Sequence, residues 1–283
     1  VVVLAASAIE SARLLLLSTS THHPHGLGNG SGLVGRNLTF STFGKATAIF
    51  SRATLRERLG ETDMDLPFLQ RSVQDDYWMP RSGLALPKGG TYNFILHHPN
   101  RINATMRLIM ESDWTLSGAA LKERMRRYFH DELWMEVEIF GEFLPTTDTY
   151  VDLDGEVRDA QGLPVARISV VHHPADVAVS RYMTERSVEM LSALRPAADK
   201  VWKYAEGGTT FHLQHGTCRF GRDPARSVLD PSCRAHEVEN LYVTDGSFMP
   251  TSGGVPATPT IIANSLRVAD ILRERFARRE IAG

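Results

Sequence analysis

The sequence predicts an α/β layer built from its two ends, with an α+β segment carrying an antiparallel sheet inserted between them. Three observations predict it. A continuous apolar run over residues 1–5 leads into helical spacing over 7–18. From about 41 to 205 the texture changes to short, partly alternating extended segments with a few amphipathic helices. After Gly208 a strand-to-helix pattern returns and continues towards the end. Segments 1–40 and 206–283 therefore read as two parts of one domain, and 41–205 as a second.

The first element, Val1 to Ala5, suits a strand buried on both faces. Ser7 then stands where a helix N-cap is wanted, with Glu10 three residues on. An apolar strand without an initiator Met or a basic leader is expected of a downstream piece of a longer protein, or of a cleaved or split one. The Ser-, His- and Gly-rich loop 18–32 follows and contributes to a formal G-x-G-x-x-G match at Gly30, Gly32 and Gly35. A phosphate loop needs a strand before it and a helix after it. Here a loop precedes and "RNLTFSTF" is extended, so a glycine-rich turn is the preferred reading.

In the middle segment, β-branched and aromatic residues mark strands at 91–98, 104–110, 135–144 and 166–173. Helical spacing marks 117–134 and 176–205. Near the end, "NLYVTDGS" reads as a strand running into a loop. The helix from Pro259 has an apolar face at Ile261, Leu266, Ala269 and Leu272 and a basic end.

Composition narrows the partners. At 283 residues, 42% hydrophobic and with a formal net charge of −2, the chain has ordinary globular composition, which gives no ground for nucleic acid or an anionic membrane as partner. No run approaches the 18 apolar residues of a membrane span. A soluble protein of the cytoplasm or periplasm, acting on a small molecule, is expected. Cys218 and Cys233 are too few for a disulfide framework, although one bridge between them is open.

Two clusters could carry chemistry. Asp245-Gly246 sits where a strand ends, and glycine there lets backbone amides approach a ligand; a plain turn is the alternative. The small-residue run "TSGGVPATPT" before the last helix favours a ligand, since it leaves room for a planar or anionic group at a helix N-terminus. His212 and His215 read in three ways: as acid/base groups, as zinc ligands with Cys218 and Cys233, or as structural histidines. The pairs at 22–23, 97–98 and 172–173 are assigned to the third class.

The stretch "HGTCRFGRDPARSVLDPSCRAHEVENLYVTDGSFMPTSGGVPATPTIIANSLRVAD" resembles the C-terminal signature of the glucose-methanol-choline (GMC) oxidoreductases. "VVVLAASAIESARLLLLS" with "GLVGRNL", and residues 141–168, resemble other parts of that family. The resemblance implies a partial Rossmann-like FAD domain with an inserted antiparallel-sheet substrate domain. It also implies oxidation of an alcohol or sugar hydroxyl by hydride transfer to FAD, with a histidine taking the proton. By similarity Asp245 and Gly246 lie along the FAD diphosphate or ribityl chain, with Ala257 and Thr258 near the flavin ring. The family needs no metal here, so the zinc reading recedes.

Two departures qualify this. The family's histidine position falls on Leu213, between His212 and His215. On a strand these two face opposite ways; a one-residue shift brings His212 into place, and it is narrowly preferred. The family's partner position falls on Pro256, leaving the second histidine or Asn264 as the possible partner. The family's FAD fingerprint is absent, so a companion chain or an N-terminal half is expected to supply it. The alternative function is a non-catalytic or half-site subunit of a split flavoenzyme. A hydrolase is disfavoured by the lack of a G-x-S-x-G elbow.

Overall fold

The computed structural model describes residues 1–60, 70–96, 100–194 and 198–281. In chain order the elements are β1 (Val2–Leu4), α1 (Ser7–Leu17), β2 (Thr39–Ser51), α2 (Arg52–Leu59), β3 (Gln70–Val73), β4 (Gly90–Leu96), α3 (Arg101–Glu111) and α4 (Gly118–Arg126). A π-helical turn (Arg127–Asp131) leads into β5 (Glu132–Gly141), β6 (Tyr150–Arg158), β7 (Pro164–Ser169), α5 (Pro174–Ala193) and β8 (Ala198–His215). The chain then forms β9 (Leu241–Val243), a 3₁₀ turn (Gly246–Phe248) and α6 (Thr258–Ala277).

These elements divide between two compact units. Unit 1 comprises Val1–Thr42, Gly141–Asp176 and Thr209–Gly283. Its core includes Leu15, Phe40, Phe143, Leu229, Tyr242 and Val268. β1 and β9 pair in parallel, Val3 opposite Tyr242, and β6 and β7 form an antiparallel hairpin. That hairpin belongs with α1: Arg13 donates from Nε to the Pro164 carbonyl at 2.8 Å and ion-pairs with Asp159. This packing is why Gly141–Asp176 lies in unit 1 rather than within the inserted segment expected over 41–205.

Other expectations for unit 1 need correcting. β1 is not covered on both faces: Val2 and Val3 are 54% and 50% exposed, and among the described residues β1 pairs with β9 alone. Ser7 does not cap α1. It adopts φ +74°, Ala6 holds the cap position, and the Ala6 amide donates to Ser11 Oγ at 3.1 Å. Both cysteines are free and buried. The apolar face of α6 is narrower than expected, since Val268 is buried but Leu266 is 64% exposed.

Unit 2 comprises Phe43–Phe140 and Val177–Gly208. Its sheet has the order β3-β4-β5-β2-β8, with β3 and β4 antiparallel. Strand alternation sends Ala46, Ala48, Phe50, Val137 and Ile139 to the face covered by Val179 and Met183 of α5. The other face packs Trp134 and Trp202 with Ala104 and Leu108 of α3.

Three elements of the middle segment differ from expectation. The stretch 104–110 is helical, because Asn100 caps it, accepting from the amides of Ile102 and Asn103, and Ala104 and Leu108 sit one turn apart on its buried side. The helix expected over 176–205 ends at Ala193 and the chain re-enters the sheet at Ala198. Pro196 cannot continue a helix, and Val201, Trp202 and Tyr204 favour a strand. The helix expected over 117–134 gives way to β5 at Glu132. His97 and His98 lie outside the described residues.

Candidate functional site

The residues just after β8 are held by a backbone ladder that brings a distant loop beside the strand end. Gly216, Cys218 and Phe220 donate to the carbonyls of Gly246, Ser247 and Phe248 at 3.2, 3.0 and 2.9 Å. Asp245 caps the 3₁₀ turn, accepting the Ser247 amide at 2.8 Å. It also accepts the hydroxyls of Ser247 and of Ser11 from α1. Its carboxylate is thus committed to fixing the turn that contains Gly246 and tying it to α1.

The result is a cleft of about 250 Å³ within unit 1, bounded by His212, His215, Asp245, Gly246, Thr258 and Ile261, with Ser7 and Ala8 at its side. His215 is 1% exposed, and its Nδ1 has no hydrogen-bond partner among the described residues. Burial pushes its imidazole down to about 4, so the ring is neutral near pH 7. His212 is exposed.

Gly246 lets the loop lie directly against the end of the histidine strand. A Cβ there would lie 2.5 Å from the Gln214 carbonyl oxygen and 3.3 Å from His215 Cδ2, so any side chain would collide with the histidine strand. Opposite, α6 begins at Thr258 after Ala257, with proline in its first turn and no side chain capping it. Its leading amides are available to an electron-rich group. The orphaned imidazole nitrogen, the glycine cradle and the uncapped helix start fit a planar, electron-rich cofactor, which could be held by Gly246, Ala257 and Thr258.

The sequence-derived residues are only partly assembled here. His212, His215, Asp245, Gly246 and Thr258 meet at the cleft; Ala257 supports it from the core as the α6 cap. Both histidines border the cleft, which follows residues 212–215 along the strand end, but only His215 is buried, as expected of residues on opposite faces of a strand. Asn264 is turned elsewhere. Its amide nitrogen donates to Cys233 Sγ at 3.4 Å and its oxygen accepts from Arg267 at 2.8 Å, and it does not line the cleft. Pro256 is exposed.

Among the described residues no three His, Cys, Asp or Glu side chains converge as a metal site. No helix there is long and apolar enough to cross a membrane. Ser11, Ser7 and Ile261 were not legible as site residues; only Ser247, two residues after Asp245, carries a local turn signal.

The glycine-rich match is structural. Gly30 N donates to Glu237 at 3.0 Å, and a Cβ on Gly35 would lie 2.1 Å from the Val151 carbonyl oxygen. Its amides thus serve loop packing rather than an anion.

Comparison with known proteins agrees with this architecture. The family model described as GMC oxidoreductase matches residues 145–265. The chain is 32% identical to 6'''-hydroxyparomomycin C oxidase of Streptomyces lividus, over 98% of this chain and 45% of that protein. It is 29% identical to 2-methyl-1,2-propanediol dehydrogenase of Mycolicibacterium austroafricanum, over 98% of this chain and 48% of that protein. It therefore spans about half the length of these relatives. Among solved structures, pyridoxine 4-oxidase from Mesorbium loti shares the fold at a TM-score of 0.53 and 16% identity, covering 96% of this chain and 51% of that one. An Aspergillus oryzae formate oxidase variant, solved for its effect on FAD modification, superposes at 0.51 with 14% identity, covering 96% and 54%.

Proposed function

The chain carries the C-terminal region of the GMC oxidoreductase family, and from that premise we propose that it forms the substrate-oxidising part of an FAD-dependent alcohol or sugar oxidoreductase. The observation that carries this reading is the buried imidazole of His215, its Nδ1 without a partner among the described residues, in the wall of the cleft beside Gly246. When bound, FAD supplies the two-electron acceptor for the hydride leaving the alcohol carbon.

The protein's own residues do the rest. His215, neutral near pH 7, has a lone pair with which to take the hydroxyl proton. His212, exposed at the same cleft, is the second candidate for that role. Asp245, tied to Ser11 and Ser247, holds the loop in register so that Gly246 can lie against the cofactor. The first amides of α6, from Thr258 onward, favour negative charge collecting on the bound group. The relatives' names, a 6'''-hydroxyparomomycin C oxidase and a 2-methyl-1,2-propanediol dehydrogenase, support a hydroxyl as the oxidised group.

The remaining FAD contacts are placed outside these residues, on an N-terminal half or a companion chain. The exposed valines of β1 favour this, since parallel strands are ordinarily covered on both faces. They equally favour the second reading, a half-site subunit that becomes active only with its partner.

The test is anaerobic flavin reduction in the intact native assembly. A flavin spectrum that bleaches on adding a sugar or alcohol is expected. His215→Ala should slow that bleaching by about 10²-fold or more with flavin content unchanged. Absence of flavin from the assembly would sink the proposal. Wild-type bleaching in both His215→Ala and His212→Ala would remove the histidine base, and loss of flavin in either would make that histidine structural.

A further inference from the structure

In unit 2, α3 is apolar on two opposite sides. Ala104 and Leu108 face the sheet and pack in one cluster with Trp134. Ile102, Met106 and Met110 recur every fourth residue on the far side and are 76%, 43% and 57% exposed. Trp114, four positions further on, is 67% exposed. A surface helix ordinarily carries one apolar stripe, turned to the core, with polar residues opposite. The second stripe of α3 has no such role within the chain.

The backbone fixes Trp114 in that position. Its amide donates to the Ile109 carbonyl at 3.0 Å and the Asp113 amide to the Met110 carbonyl at 3.1 Å, the bonding of a helix stop that commonly uses glycine. Asp113 and Trp114 instead hold φ +51° and +62°, a conformation that bulky aromatic residues rarely adopt. The following turn is fastened as well. Thr115 Oγ1 donates to the Ser112 carbonyl at 2.7 Å, and the Leu116 amide to Ser112 Oγ at 3.1 Å. Charge sits at the two ends of the stripe: Arg101 and Asp113 are exposed, and neither is in an ion pair among the described residues. Between them, Arg107 and Glu111 pair with each other at 2.8 Å.

We propose that this stripe is an interface with a second copy of the chain, made by two α3 helices packed antiparallel about a two-fold axis. The spacing is self-complementary. An axis at the level of Leu108 sets Ile102 of one copy against Trp114 of the other, and Met106 against Met110, as an isologous contact requires. The same pairing brings Arg101 of each copy beside Asp113 of the other and opposes the two helix dipoles. The thioethers at the centre adapt to each other's shape. At their exposures the four side chains offer roughly 500 Å² per copy, or about 1,000 Å² for the pair, the lower bound of a specific interface. A lipid surface fits less well, because Glu111 and Asp113 put carboxylates beside Trp114, where an anionic bilayer favours cations. Nothing in this pairing depends on flavin chemistry.

The experiment is sedimentation equilibrium of the intact native protein over a concentration series of about 1–100 μM. Particles with two copies of this chain should form reversibly, with a Kd of about 10 μM for an interface of this size. Met110→Lys, at an exposed position in the middle of the stripe, should raise that Kd tenfold or more, since the pair carries the change twice. Arg101→Glu should also weaken the pair, although an acid in the first turn of α3 suits the helix itself. Adding Asp113→Lys should restore it. Because Asp113 holds a positive φ, the double variant is read with its circular-dichroism melt, and Met110→Lys decides where the melt has shifted. One copy per particle at every concentration, or a pair unaffected by Met110→Lys, overturns the proposal. So does binding to phosphatidylcholine–phosphatidylserine vesicles that Met110→Lys abolishes while the protein stays single in solution, which would give the stripe to a lipid surface. Mass is read without reference to flavin, so failure here is separate from failure of the oxidoreductase reading.

Discussion

Replacing His215 with Gln should expose an opposing pH dependence that the wild-type protein conceals. Burial takes the His215 imidazole from 6.5 in the unfolded chain to about 4. The unfolded chain therefore gains a proton first as pH falls. The stability tied to this group is complete above about 6.5 and lost as pH drops towards 4, a swing of about 3 kcal/mol. Asp176 acts in the other direction. Burial raises its carboxyl from 3.8 to about 6, although the Leu144 amide donates to it and the His173 charge opposes the rise. Here the folded state holds the proton more tightly, so the contribution is present below 3.8 and lost as pH rises through 6, again by about 3 kcal/mol. Between pH 4 and 6 the two slopes oppose each other. In His215→Gln, stability relative to wild type should therefore improve by about 3 kcal/mol between pH 7 and pH 4, and in Asp176→Asn it should worsen on the same descent. Urea midpoints of the intact protein, followed by circular dichroism and taken as differences from wild type, cancel the other carboxylates. A difference between His215→Gln and wild type that stays constant over this range would refute the account of the buried imidazole.

Gly246→Ala, whose Cβ would meet the Gln214 carbonyl oxygen at 2.5 Å, should cost about 1–3 kcal/mol through overpacking. A urea midpoint equal to wild type would show that the strand and loop can part without penalty. Cys218 and Cys233 should resist a thiol reagent in the native protein, because both are buried and burial raises both thiols, and react only on unfolding. Labelling under native conditions as fast as for a free thiol would contradict this.

Which parts of the molecule were legible in advance follows from how far apart the interacting residues are. The strand before Asp245, the helix after Pro259 and the loop nature of the glycine-rich segment rest on local alternation, helix start signals and turn residues, and the structure has β9, α6 and a packed loop there. The segment 104–110 was ambiguous because Met, Leu and Ile suit either a strand or a buried helix face, and the deciding Asn100 cap lies outside the apolar run. The end of the helix after Asp176 was carried past Pro196 by apparent helical spacing, which the aromatic and β-branched residues beyond it outweigh.

The site divides in the same way. Asp245, Gly246, Thr258 and the histidine pair were identifiable from residue type and family resemblance, as chemistry in search of a geometry. Sequence could not distinguish the two histidines, because burial is a property of what packs around a strand. The fold encloses His215 and leaves His212 at the surface. Nor could it show that Asn264 spends its amide on Cys233 and Arg267, or that Ser11 secures Asp245 across 234 positions of chain. By itself the sequence determined the local elements and the kinds of groups present. Tertiary structure alone decided which groups are desolvated, which are already satisfied and which remain available for a ligand, because those outcomes depend on contacts between residues that no local pattern connects.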